Sequence, residues 1–138
     1  MTAVDDRPDP HGTRLVLGVA GAAVTVVLAV LTAFIEAVCT SVRVGGWPAV
    51  WVLPLAVGAN IALIWFARTA VGAPWGWWFA AVPWFLVMIF AVGGTTEGDQ
   101  LANSWLGLAL LALGGMALVG PVAFLSARAP RPPRGSAV

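Results

Sequence analysis

The chain has no lysine, one histidine, one cysteine and very little charge of either sign. Each shortage excludes something. A single cysteine, Cys39, cannot close an intramolecular disulfide or form a CxxC redox pair. The single histidine, His11, lies in the polar N-terminal segment. The apolar stretches therefore hold no imidazole for a bis-His haem or a His-based metal centre. No Gly-Lys-Ser/Thr loop is present to cradle phosphate, and no Ser-His or paired-Asp protease arrangement falls within an apolar stretch. Charged residues make up 9% of the chain, against about 25% in ordinary soluble domains. That is too little charge to coat a water-soluble surface, so lipid must solvate part of the molecule. With no basic face and no folded soluble module, nucleic-acid binding is not expected.

What is present is grease in long runs. Of the 138 residues, 60% are hydrophobic, and mean hydropathy is +0.93. Residues 15–35, 44–67, 69–96 and 100–127 contain no Asp, Glu, Lys or Arg. About 20 apolar helical residues cross roughly 30 Å of hydrocarbon, so each run is long enough to span. In lipid the backbone must satisfy its own hydrogen bonds, which makes helices the expected spans. The spacing predicts helices over about 14–38, 47–68, 74–92 and 103–127. Gly45-Gly46 precede the second, Gly72-Ala73-Pro74 separate the second from the third, Gly93-Gly94 end the third, and Asn103 or Ser104 can cap the fourth. Short connections imply antiparallel neighbours. The predicted fold is an all-α membrane protein, an up-down antiparallel bundle of four transmembrane helices. Residues 1–13 read as a disordered cytoplasmic tail, 14–127 as the transmembrane domain and 128–138 as a second disordered cytoplasmic tail.

Orientation follows from arginine. Arg7, Arg14, Arg68, Arg128, Arg131 and Arg134 fall on one predicted side and only Arg43 on the other. By the positive-inside rule both termini are expected in the cytosol. The first apolar run exceeds the ~7–15 residues of a signal-peptide core, so helix 1 is expected to remain as an anchor. Basic charge carried by Arg alone, in an Ala-rich chain, suggests a GC-rich bacterial genome and hence a bacterial plasma membrane. Tryptophan gives an independent check, because Trp favours the headgroup level. Trp47, Trp51 and Trp105 fall at predicted outer ends, and Trp65, Trp75, Trp77 and Trp78 at predicted inner ends. Trp84 alone lies near mid-membrane.

Polar residues at depth are few. Asn60 is the most polar of them and should face a neighbouring helix rather than lipid. Thr25 and Thr32 are candidate partners, although threonine can satisfy itself on its own helix. No ionisable group is expected midway along a span. Pro54, Pro83 and Pro121 each read as a break in helical hydrogen bonding that kinks its helix. Gly18 with Ala22, Gly58 with Ala62, and Gly107, Gly114, Gly115 and Gly120 read as close helix contacts. The predicted outer rim gathers the remaining chemistry: Glu36, Arg43, Glu97 and Asp99, with Cys39 beside them as a small packing residue. The rim reads as a solvated loop pair or as a surface for a partner or polar ligand. Glu36 is placed at the outer end of helix 1, and an ion pair between Arg43 and one of the three acids is expected.

Several outer segments carry a resemblance. Glu36-Ala37, then Arg43-Val44-Gly45-Gly46-x-Pro48, then Pro83-Trp84, then Glu97-Gly98-Asp99 resemble an uncharacterised family of actinobacterial four-helix membrane proteins, a domain of unknown function. The likeness covers roughly residues 15–125. The family's adjacent Gly-Asn of helix 2 corresponds here to Gly58 and Asn60, separated by Ala59. The resemblance implies a four-span fold and assigns no catalytic or cofactor-binding residue.

The function expected from sequence is therefore non-enzymatic: an accessory, assembly or structural component of a membrane complex, needing no cofactor or metal. Its partners would be the bilayer itself and another membrane protein or a second copy. The alternative is a small homo-oligomeric transporter or channel using Asn60 and the rim. A membrane enzyme would need two of Glu36, Glu97 and Asp99 to converge on one cleft.

Overall fold

A computed structural model describes residues 10–93 and 104–128 of the chain. They form four helices: α1 over Pro10–Cys39, α2 over Val52–Val71, α3 over Trp78–Gly93 and α4 over Trp105–Arg128. Two very short antiparallel strands, β1 (Arg43–Val44) and β2 (Trp47–Pro48), lie between α1 and α2. Helices α1, α2 and α4 each include a segment long and apolar enough to cross a membrane: Gly12–Cys39, Val52–Val71 and Trp105–Phe124. Helix α3 has 16 residues and rises only about 24 Å.

The element ends follow local chemistry. Where the sequence suggested that helix 2 begins near Trp47, the chain instead makes a hairpin. Gly45 and Gly46 take φ of 60° and 85°, the pair of left-handed residues that a two-residue hairpin turn requires. Helix α2 starts only at Val52, which puts Pro54 in its first turn. Backbone N–H groups there have no helical acceptor, so Pro54 costs α2 no hydrogen bond, unlike Pro83 and Pro121 inside α3 and α4. Gly72 ends α2 with φ of 67°, its N–H donating to the Arg68 carbonyl at 3.1 Å. The segment after it does not begin α3 at Pro74. Gly76, Trp78 and Phe79 donate to carbonyls three residues back, a run of tight turns that delays α3 to Trp78. At α4 the cap is Ser104, whose Oγ accepts from the Gly107 N–H at 3.2 Å.

Each helix turns one stripe inward at the three-to-four-residue spacing of a helix face. On α1 it is Thr25, Ala29, Ala33, Glu36 and Ala37, and on α2 it is Val52, Ala56, Asn60, Leu63, Ile64 and Ala67. On α3 it is Ala80, Ala81, Trp84 and Met88, and on α4 it is Leu106, Leu110, Ala117 and Leu118. The α1 stripe is mostly alanine, so α1 lies close against both α2 and α3. Helix α4 packs on the other side of the same pair, and α2 and α3 touch each other less. The close approach of α1 to the end of α2 occurs at Gly21, where a Cβ would stand 2.6 Å from the Ala70 carbonyl oxygen. The outward faces carry large apolar side chains, including Leu15, Val19, Phe34, Ile35, Leu55, Phe90 and Phe124. Such a surface suits hydrocarbon rather than water.

Candidate functional site

Three inward stripes carry a polar side chain to one level of the bundle. Trp84 of α3 is fully buried, and its Nε1–H donates to Glu36 Oε2 of α1 at 3.0 Å. Asn60 of α2, also fully buried, faces the same carboxylate. Neither Asn60 Nδ2 nor Oδ1 reaches a partner in hydrogen-bonding geometry, and Glu36 Oε1 is equally without one. Helix α4 supplies the space. At Gly114 a Cβ would stand 2.6 Å from Trp84 Cζ2 and 3.0 Å from Asn60 Nδ2. The site thus draws on Glu36, Asn60, Trp84 and Gly114, one residue from each helix.

The burial of Glu36 corrects the reading from sequence. It was expected on a solvated rim at the end of helix 1, but it is 5% exposed. Trp84, its partner, lies nine residues before the end of α3, about 14 Å along the axis. The helix that carries Glu36 continues to Cys39 and then folds over through Thr40 and Ala49, both buried. An ionisable side chain is therefore buried inside the bundle, three residues before the end of α1. Asn60 faces inward as expected, but neither threonine is its partner. Thr25 Oγ1 donates to the Gly21 carbonyl on its own helix at 2.7 Å, and Thr32 is only half-buried.

Arg43 stands exposed at the base of the hairpin, and no ion pair joins it to Glu36. Glu97 and Asp99 lie outside the described residues, so the expected pairing of Arg43 can be weighed only against Glu36. Cys39 is half-buried against the core. Among the described residues no three metal-ligating side chains gather.

The residue that sequence reasoning left without a role is Trp84. One signal pointed to it: it alone among the tryptophans fell away from the predicted headgroup belts, and an indole N–H removed from water needs an acceptor. Gly114 carried no such signal, being one glycine among several on its helix.

Beside the carboxylate, α1 and α2 diverge to leave a cleft of about 260 Å³. Its lining includes Thr32, Ile35 and Glu36 from α1 and Leu55, Ala56 and Ala59 from α2. Ile35 and Leu55 are exposed, so the cleft opens on the apolar outer surface of the bundle. The chemistry on offer is a buried carboxylate and a buried amide with spare acceptor oxygens, next to an apolar opening. Comparison with family models, with curated proteins and with solved structures finds no match to this chain.

Proposed function

We propose that this chain is a multi-pass integral membrane protein of a bacterial plasma membrane, with four antiparallel spans and both termini in the cytosol. It works by association rather than catalysis, as an accessory, assembly or structural component of a membrane complex. The observation that carries the reading is on α2. Gly58 and Ala62, a small-xxx-small pair, both face outward, and nothing lies within 4 Å of where a Gly58 Cβ would stand. A close-packing seam that the bundle does not use internally suits a helix of another subunit, because small residues let backbones approach in lipid.

The test is Gly58→Leu. Open space at Gly58 leaves the fold intact, and leucine improves helix propensity by about 0.5–1 kcal/mol. Native mass spectrometry from gentle detergent should show the wild-type chain in a complex, with itself or with another membrane protein, and the variant released from it. Repeated recovery of wild-type monomer alone would count against the reading.

The second reading is a small homo-oligomeric transporter or channel. It is favoured by the Glu36–Asn60 pair, since polar and ionisable side chains held deep in a membrane bundle commonly mark solute or ion paths. Glu36→Gln and Asn60→Leu would then abolish flux in liposomes. Unchanged flux in both would remove these residues from any transport mechanism.

A further inference from the structure

With Glu36 ionised, the buried polar centre has more acceptors than donors. Glu36 offers Oε1 and Oε2, and Asn60 offers Oδ1. Trp84 Nε1–H serves Oε2. If the Asn60 amide turned its Nδ2 onto Oε1, its own Oδ1 would still lack a donor. No charge balances the carboxylate either: Arg14, Arg43 and Arg68 are the cations whose side chains are described, and none pairs with it. A buried carboxyl in this state is satisfied either by keeping its own proton, which can be donated to Asn60 Oδ1, or by a positively charged hydrogen-bond donor that lets it ionise.

The cleft between α1 and α2 says what shape that donor has. Glu36 lines it, and the rest of its wall is apolar apart from Thr32 and Cys39. Its volume of about 260 Å³ is just below the ~300–1,000 Å³ of drug-sized ligand pockets, so the occupant is small. The opening lies on the lipid-facing surface, between exposed Ile35 and Leu55, so the occupant arrives from the hydrocarbon and is itself largely apolar. The cleft runs along the last turns of α1, from Thr32 to Cys39, and the first turns of α2, from Val52 to Ala59. At about 260 Å³ the cleft is too small to enclose a two-chain phospholipid and suits a small free amphiphile.

We propose that the α1–α2 cleft binds a small amphiphilic primary ammonium, its N–H groups on the Glu36 carboxylate and its alkyl or aryl tail against Ile35, Ala56 and Ala59. Binding needs no transport and holds whichever role the chain plays in a complex. The head reaches Oε1 by a turn of the Glu36 side chain toward the cleft. That turn loosens the Trp84 bond, so the Trp84 indole N–H reports occupancy.

The experiment uses the full chain in phosphatidylcholine nanodiscs, which contain no primary ammonium headgroup, with hexylammonium as probe. The Trp84 indole N–H resonance is assigned by its loss in Trp84→Phe. Hexylammonium should shift this resonance saturably, and hexanol at the same membrane concentration should not. Ala59→Leu fills the cleft without touching the carboxylate and should weaken binding at least about tenfold, with the other indole signals unmoved. Glu36→Gln keeps the shape, removes the charge and should weaken it likewise. An equal response to hexanol would overturn the proposal, as would a shift that never saturates or wild-type affinity in either folded variant. Competition by phosphatidylethanolamine added to the nanodiscs would overturn the free amine in favour of a lipid headgroup.

Discussion

Trp84 and Glu36, 48 positions apart in sequence, are joined by a 3.0 Å hydrogen bond that closes α3 onto α1. The bond satisfies both the only indole buried at depth and one oxygen of the only described carboxylate. Removing one partner strands the other in a place where water cannot replace it. Trp84→Phe preserves most of the ring volume and deletes the donor. It should cost about 1–3 kcal/mol, read as a lowered unfolding midpoint in detergent. In a double-mutant cycle with Glu36→Leu the two changes should be non-additive, with a coupling of about 0.6–2 kcal/mol. Additive losses would mean that the bond contributes nothing of its own.

Gly114 is the position where bulk is least tolerated near the site. A Cβ there meets Trp84 ring atoms at 2.6 and 2.8 Å, and that ring is held by its own bond to Glu36. Gly114→Ala should therefore destabilise by about 1–3 kcal/mol. At neighbouring Gly115 a Cβ would meet only the outer edge of the half-buried Phe85 ring, at 3.0 Å, and Gly115→Ala should cost less. Equal unfolding midpoints for the two variants would refute the difference.

The glycines of α1 separate in the same way. Gly21 faces backbone, with a Cβ 2.6 Å from the Ala70 carbonyl oxygen and 2.8 Å from its carbon. Backbone cannot swing aside, so Gly21→Ala should push α2 away from α1 and lower stability by about 1–3 kcal/mol. Gly18, at 3.4 Å from the Val71 oxygen, can take a methyl at ordinary contact. A thermal-unfolding comparison of Gly18→Ala with Gly21→Ala checks this, with Gly18→Ala expected to match wild type.

The hairpin before α2 rests on two left-handed residues. Gly45 and Gly46 have open space around them, so a side chain would clash with nothing. The cost of Gly46→Val is conformational, about 1–2 kcal/mol. It should appear as faster hydrogen exchange at the Ala49 N–H, which donates to Val42 at the base of the hairpin, with the exchange of α3 and α4 unaffected.

The parts of this molecule that were legible in sequence are those governed by solvent. Uncharged runs announced helices α1, α2 and α4. The spread of tryptophans singled out Trp84, and Gly45-Gly46 and Gly72 marked turns where turns occur. The inward turn of Asn60 was readable too, because lipid gives an amide no other option. Element ends were less legible. Whether Trp47–Trp51 continues a helix or turns back depends on a hairpin hydrogen-bond pattern that apolar composition does not reveal. The same holds for the turns that delay α3 from Pro74 to Trp78.

The site itself was beyond the sequence. Glu36 stands three residues before the end of a helix, and by counting along one chain it belongs to a rim. The alanine stripe lets α1 lie so close to α2 and α3 that the carboxylate meets Trp84 at the middle of α3, with Gly114 leaving the room. Hydropathy is a property of each segment taken alone, so sequence decided which segments seek lipid. Depth and partnership are relations between helices, and only packing four of them together decided which polar groups meet and which oxygens are left wanting a donor.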